Sequence, residues 1–382
     1  MILVLNSGSS SVKYRLVDLD RPSSGPGGPV ERTGEPGGVV ERVGEPDGVP
    51  DHAAALRRVA DALGLDDLPG LRAVGHRVVH GGARFREPAV IDDAVLSAIR
   101  DLVPLAPLHN PANLAGIEVA RALRPDVPHV AVFDTAFHAT LPPPAASYAL
   151  DVAVAERFGI RRYGFHGTSH RFVASRTAAL LGRPVAELNT IVLHLGNGAS
   201  AAAVSGGRSV ETSMGLSPLE GLVMGTRSGD LDPAVVSHLH RVSGMSVAEI
   251  DDLLWHRSGL VGLCGDNDMR AVLARRSGGD PAAELAFAVY CHRIRKYVGA
   301  YHAVLGRLDA IAFTAGIGEH SAQVRATSLA GLEAWGIAVD PARNEAGGDG
   351  PRVVSADGAR VSVCVVPTDE ELAIAEEVAA LL

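Results

Sequence analysis

Apolar positions along the 382-residue chain fall into short runs separated by polar, glycine-bearing turns. Met1-Ile-Leu-Val-Leu5 is one such run, and Val12–Val17 follows it after Asn6-Ser-Gly-Ser-Ser-Ser11. Unbroken apolar runs of this length predict buried strands. Asn189–Leu193 and Ala201–Val204 repeat the arrangement around His194-Leu-Gly-Asn-Gly-Ala-Ser200. Each pair reads as strand, tight glycine turn, strand. Gly196 and Gly198 are expected to use positive φ and to turn backbone N–H groups toward phosphate oxygens. An ordinary Asn-Gly hairpin is the plain alternative. Because the two turns lie about half a chain apart, two related halves are expected, each opening on such a hairpin.

Elsewhere the period changes. Helical spacing runs over 51–63, with Asp51 as N-cap and Gly64 as stop, and over 92–102. It continues over 113–123 behind Pro111 at a helix start. Further helices are expected from Tyr163-Gly-Phe-His-Gly-Thr-Ser-His170 to Leu181, over 247–258 and 281–305, and after Pro367-Thr-Asp-Glu-Glu371. Apolar runs at 71–79, 127–133, 308–314 and 361–366 predict strands, and Leu141–Ala145 a stiff linker. Strands alternating with helices predict an α/β fold. Residues 30–38 are echoed by 40–48 in a Gly-, Pro- and Glu-rich stretch. That repeat reads as a surface hairpin or loose insertion without chemistry.

Composition narrows the class. A chain this long, 47% hydrophobic, predicts two domains with sizeable cores. Net charge is −9, with no basic stripe, which argues against nucleic acid and membranes as partners. Cys264, Cys291 and Cys364 form no CxxC and suggest a reducing compartment. No run reaches the roughly 18 apolar residues of a membrane span. A cytoplasmic protein is expected.

Three glycine turns follow strands, at Asn6–Ser11, His194–Ser200 and Ala315–Glu319, where ligands of open α/β sheets bind. A ligand with a phosphate chain and a base would use all three. None matches the P-loop, and Gly-Ile-Gly-Glu319 lacks the third glycine of the dinucleotide fingerprint. The pairs His76/His80 and His166/His170 have i,i+4 spacing but lack the glutamate of zinc proteases, so zinc is not favoured. Arg77 and Arg227, each between glycine-rich flanks, fit phosphoryl clamps better than solvated charges. Glu370, at a helix start, suits Mg2+ held through water, or simply favours the helix N-terminus.

Taken together, these motifs identify a resemblance. Asn6–Lys13, Gly75-His-Arg-Val-Val-His-Gly-Gly82, Pro107-Leu-His-Asn-Pro111, Phe133-Asp-Thr-Ala-Phe-His138 and Gly164–His170 resemble the acetokinase family of the actin, Hsp70 and sugar-kinase superfamily. His194–Gly198, Glu211-Thr-Ser-Met-Gly215, Met224-Gly-Thr-Arg-Ser-Gly-Asp230, Phe313–Glu319 and Pro367–Glu371 continue it in family order over nearly the whole chain.

The resemblance implies two duplicated ribonuclease H-like domains with a nucleotide cleft between them: 1–145 completed by 368–382, and 146–367. It implies phosphoryl transfer from ATP to acetate, giving acetyl phosphate and ADP, with Mg2+ (Mn2+ as the alternative) and a homodimer. Carried over by motif, Asn6 and Glu370 support the metal. Ser9, Ser11 and Lys13 line the phosphate side of the first hairpin. Arg77 binds the acyl carboxylate and Asp134 is the family's catalytic acid. His166 and Arg227 stabilise the transferring phosphoryl group. His194, Leu195, Gly196, Asn197 and Gly198 meet the ATP phosphates. Asp268, Met269 and Arg270, with Gly316, Ile317, Gly318, Glu319 and His320, hold the nucleoside. Val79, Leu108, Phe165 and Pro218 form the acyl pocket, with His109 among the substrate contacts. Two departures stand out: Asp369 replaces the family's usual Asn, and Gly265-Asp-Asn-Asp268 puts an extra acid near the adenosine wall.

Other readings are an acyl kinase preferring propionate or butyrate, and a nucleotide-switch binding protein of the same fold. For Asp134 the chemistry points away from a base. A carboxylate nucleophile is already ionised at pH 7 and has no proton to remove. Asp134 is therefore expected to orient a cation, Arg77 foremost.

Overall fold

The computed structural model describes residues 1–8, 11–20, 36–45, 47–65 and 68–382. Chain contacts divide it into two compact units. The first comprises Met1–Ala139, Phe165–Phe172 and Asp369–Leu382; the second comprises Thr140–Gly164 and Val173–Thr368.

The first unit is built on β1 (Ile2–Ser7), β2 (Ser11–Val17), β3 (Gly37–Glu41), β4 (Ala73–Val78), β5 (Ala89–Val90) and β6 (His129–Phe133). Their order across the sheet is β3-β2-β1-β4-β6-β5. The second unit uses β7 (Asn189–Leu195), β8 (Ala199–Ser205), β9 (Arg208–Thr212), β10 (Ala310–Thr314), β11 (Arg352–Val353) and β12 (Ser362–Val365). Read from β9, the order is β9-β8-β7-β10-β12-β11. In each sheet the first strand pairs antiparallel with the second and parallel with the fourth. The short strand on the far edge is antiparallel in both. The correspondence is strand for strand, so the two units repeat one topology, and the two glycine hairpins occupy matching sheet positions.

Burial explains the apolar runs. All five β10 positions are buried, which requires cover on both faces and leaves no polar alternation to read. Truncating a residue such as Ile311 to Ala would cost about 2–5 kcal/mol. The helix Pro281–Leu305 packs on β7 and β8, where the run Ala201-Ala-Ala203 keeps the strand surface flat. In the first unit the C-terminal helix Glu370–Leu381 packs on β1 and β4. Gly75 makes this approach close: a Cβ there would stand 2.9 Å from Val378 Cγ2 and 3.0 Å from Ile374 Cγ2. That packing carries Glu370 to the first unit's sheet.

Local signals held at several ends. Asp51 caps helix His52–Leu63 by accepting from the Ala54 N–H, and Gly64 ends it at φ 58°. Asp92 caps Asp93–Asp101 in the same way. Three stretches take a more definite form than the sequence gives them. Residues 37–41 of the repeat are the edge strand β3, antiparallel to β2, so of the two readings the surface hairpin holds and the loose insertion does not; only alternate positions are half-buried. Most of the first repeat copy lies outside the described residues. The expected linker contains a single helical turn, Pro143–Ala146, with proline at its start, where the missing N–H costs nothing. Ala315–Glu319 is not a glycine turn but a short helix, Ala315–His320.

Candidate active site

In the first unit the carboxyl ends of β1, β4 and β6 bring Asn6, Arg77 and Asp134 together. Arg77 Nε donates to Asp134 Oδ1 at 2.9 Å and Nη2 to Oδ2 at 2.6 Å. Nη1 donates to Asn6 Oδ1 at 3.2 Å. This is a forked guanidinium–carboxylate pair, the stronger and more directional kind. The Asp134 side chain is 2% exposed, that of Arg77 19%. Burial lowers the guanidinium's pKa, but Asp134, Glu370 and Glu371 outweigh it and hold Arg77 above its ordinary value. Burial pushes the Asp134 carboxyl up, and the fork opposes this. Both Asp134 oxygens accept N–H bonds from Arg77, an arrangement that favours the ionised carboxylate. The expected Arg77–Asp134 contact is thus present.

His166 belongs to the same unit, on the segment Phe165–Phe172. It adopts φ 56°, a left-handed conformation costing a non-glycine residue roughly 1–2 kcal/mol. The next residue must be glycine. Gly167 N–H donates to the Asp134 carbonyl at 2.9 Å, and a Cβ on Gly167 would lie 2.2 Å from that oxygen. Of the proposed acyl contacts in this unit, Val79 and Phe165 are buried and Leu108 is 48% exposed. His109 precedes the helix Asn110–Leu123. Lys13 lies on β2 in register with Asn6, and the Ser11 carbonyl accepts from the Gly8 N–H at 2.8 Å. Ser9 lies outside the described residues.

The second unit holds a pocket of 460 Å³ lined by Gly196, Asn197, Asn267, Asp268, Met269, Arg270, Leu273, Gly316, Ile317, His320 and Ser321. Three stretches of the chain, 196–197, 267–273 and 316–321, converge there. Apolar Met269, Leu273 and Ile317 beside polar donors and acceptors suit a planar base with a polar edge. Gly196 and Gly198 are not among the glycines with positive φ, contrary to expectation. Gly196 is small for another reason: a Cβ would crowd the Gly198 carbonyl at 3.2 Å. The strained residue is Ala315, at φ 62°.

His194, Leu195, Gly198, Gly318 and Glu319 do not line that pocket. Leu195 is fully buried in β7, paired with Ala199 of β8. Glu319 Oε1 accepts from Thr314 Oγ1 at 3.4 Å and from the Thr368 N–H at 3.3 Å. The extra acid Asp266 is also absent from the lining; its carboxylate accepts from the Asp268 N–H at 2.9 Å.

Arg227 is half-buried, and burial lowers its pKa. Its Nη1 donates to the Pro218 carbonyl at 3.1 Å, and its guanidinium lies over the Trp255 ring at 5.3 Å. Among the described residues it pairs with no carboxylate. A preorganised cation without its own anion is what a phosphoryl group calls for. The loop carrying it is anchored by two acids. Glu220 accepts from Arg162 at 2.7 Å and from the Tyr148 hydroxyl; Asp230 accepts from the Tyr297 hydroxyl at 2.9 Å and the Gly221 N–H at 2.9 Å.

Comparison with known proteins decides the lineage. The family model described as the acetokinase family matches residues 1–376. The chain belongs to the acetokinase family. The acetate kinase of Streptomyces avermitilis is 61% identical, aligned over 100% of this chain and 97% of its own. That of Leifsonia xyli subsp. xyli is 55% identical, over 98% and 97%. The crystal structure of Porphyromonas gingivalis acetate kinase superposes with TM-score 0.91 at 38% identity, covering 100% and 99% of the two chains. A propionate kinase from Francisella tularensis gives 0.89 at 38%, covering 98% of each. The fold is accordingly the duplicated α/β fold of the actin, Hsp70 and sugar-kinase type.

The acetokinase site also rests on residues that sequence reasoning missed. Asn113 accepts from the Val79 N–H at 3.0 Å and donates to the Ser7 carbonyl at 2.7 Å, clipping the ends of β4 and β1 together. Asn110 brackets the His80 backbone at 3.2 and 3.1 Å. Both are fully or nearly buried, and a buried asparagine on an apolar helix face was the available signal. Asp369 proves to be the N-cap of the C-terminal helix, accepting from the Leu372 N–H, and it pairs with Arg15 at 2.8 Å. The extra carboxylate is thus matched by a cation. The Glu370 side chain makes no hydrogen bond or ion pair among the described residues.

Proposed function

We infer that this protein is an acetate kinase, transferring the γ-phosphoryl group of ATP to acetate to give acetyl phosphate and ADP. The observation that carries the reading is the Arg77–Asp134 fork. It holds a half-buried cation, oriented by a buried carboxylate, two residues along the chain from the buried apolar Val79. A small carboxylate needs that combination. Phosphoryl transfer to it requires positioning and charge neutralisation, with little covalent help. Arg77 binds and aims the acyl carboxylate while Asp134 fixes the plane of the guanidinium. His166 and Arg227 meet the equatorial phosphoryl oxygens. The 460 Å³ pocket takes the nucleoside of ATP. His194–Gly198, Ser9, Ser11 and Lys13 serve the phosphates.

Among the described residues no cluster of three His, Cys, Asp or Glu side chains could hold a metal by itself. This fits Mg2+, which keeps waters and takes one or two carboxylates plus substrate phosphates. Glu370 is the uncommitted carboxylate near Arg77 and Asp134, and Asn6 offers an amide oxygen. These two residues would hold the ion, which would neutralise phosphate charge. Mn2+ would satisfy the same oxygens.

A homodimer accords with two helices that bury nothing within the chain. Ala234–Ser243 and Val152–Phe158 have no buried residue, and Val242 and Val152 are 71% and 67% exposed. Three free buried cysteines accord with the reducing cytoplasm. Among the described residues no helix is long and apolar enough to cross a membrane.

The test is a hydroxamate assay for acyl phosphate across a series of short acids. Acetate should give the highest kcat/KM. Hydroxamate formation best with butyrate would assign a different substrate; none with any acid, alongside slow ATP turnover, would favour a nucleotide switch.

A further inference from the structure

The segment carrying His166 is pinned on both sides. After it, the Gly167 N–H donates to the Asp134 carbonyl. Before it, the Phe165 carbonyl accepts from His138 Nε2 at 3.0 Å. Both tethers come from the one stretch Asp134–His138, which leaves β6 and turns through the short 3-10 segment Ala136–Thr140. His138 is 1% exposed and Phe165 2%. The His138 ring also meets Phe137 and His170 edge-on, each at 5.5 Å. His170 lies one turn into the helix that His166 opens, its N–H donating to the His166 carbonyl at 2.9 Å. Burial depresses the His138 pKa to about 4, so near neutrality the ring is uncharged. Its Nε2 carries the proton, because the partner there is a carbonyl oxygen.

His166 would leave its left-handed conformation unless its surroundings over-determined it. Two directed hydrogen bonds, one at each neighbouring residue, supply that restraint. We propose that His138 is a positioning residue for phosphoryl transfer: it donates Nε2–H to the Phe165 carbonyl and thereby keeps His166 in its left-handed backbone conformation and its side chain on target. This rests on the reading of His166 given above. Phe137 and His170 pack edge-on against the ring and restrict its plane.

The test is a double-mutant cycle on kcat, using His138→Leu and His166→Ala. His138→Leu alone should lower kcat by about tenfold to a hundredfold, the scale of a misplacement near 1 Å, with ATP KM little changed. In the His166→Ala background the same substitution should cost nothing further, because nothing remains to aim. His138→Gln, which presents an N–H at similar reach, should recover most of the activity; His138→Asn, which is too short, should not. Costs that add in the cycle would show a general structural role and overturn the proposal. Normal kcat in His166→Ala would instead remove the underlying reading of His166. If His138→Leu does not fold, the Gln and Asn variants decide: equal activities would refute the N–H tether.

Discussion

Replacing Asp134 with Asn probes the fork at its base. The carboxylate receives two guanidinium N–H groups, at 2.9 and 2.6 Å. An Asn in the same place accepts one of them, while its amide N–H confronts the other. Arg77 then loses its counter-charge. Removing one partner of a buried ion pair costs about 3–5 kcal/mol. The Arg77 side chain is 19% exposed, and water recovers part of that, which places the effect near the lower end. About 3 kcal/mol corresponds to roughly two orders of magnitude in rate. The expected result is a fall of about that size in kcat/KM for acetate, with ATP KM moved much less. The pH profile separates orientation from base catalysis. For the wild type with acetate and with a more acidic substituted acetate, the acidic limb should follow the ionisation of the substrate, apart from metal or nucleotide titration. If that limb stays fixed when the substrate's pKa is lowered, and disappears in Asp134→Asn, then Asp134 titrates as a base and the orienting role is wrong.

Arg227→Ala should lower kcat by about two to three orders of magnitude with a small change in ATP KM; near-normal kcat in steady-state assays would make Arg227 an ordinary charge. Acetate should be preferred over propionate and butyrate poorest, since a misfitting methylene costs roughly 1–3 kcal/mol, and Val79→Ala should raise butyrate relative to acetate in the hydroxamate assay. His76, His129 and His138 are buried, with pKa values below the ordinary 6.5. An unfolded chain binds protons there that the folded one refuses, so their contribution is full above about pH 6.5 and declines as pH falls. For His138 the decline extends to about pH 4. Urea titrations between pH 7.5 and 5 should show stability falling with pH, and a His138→Gln variant should show a shallower fall; equal slopes would mean that His138 is not held neutral.

Strand runs were legible because sheets covered on both faces leave continuous apolar stretches such as Ile2–Leu5 and Ala310–Phe313. The duplication was legible from two glycine hairpins, although the reason for Gly196 proved to be crowding at the Gly198 carbonyl rather than positive φ. Edge strands were barely legible: the repeat was open to a surface hairpin, and β11 left no mark. β3 is half-exposed and rich in glycine, and β11 is two residues long, so neither carries a hydrophobic signature. Arg77 could be singled out from its glycine-rich flanks and Asp134 through the resemblance, with carboxylate chemistry deciding the role expected of it, but their bidentate geometry needed the parallel register of β4 and β6. The clips made by Asn110, Asn113 and His138 join backbone groups far apart in sequence. Nothing local to those residues announces which carbonyl or N–H they will meet.

The central claim is that the γ-phosphoryl group passes to a small carboxylate. A 31P NMR time course of the enzyme with ATP and Mg2+, run with and without acetate, tests it most directly. With acetate, acetyl phosphate should rise in step with ADP, and without acetate ADP should scarcely form. ADP and inorganic phosphate accumulating at the same rate in both samples, with no acetyl phosphate, would contradict the account.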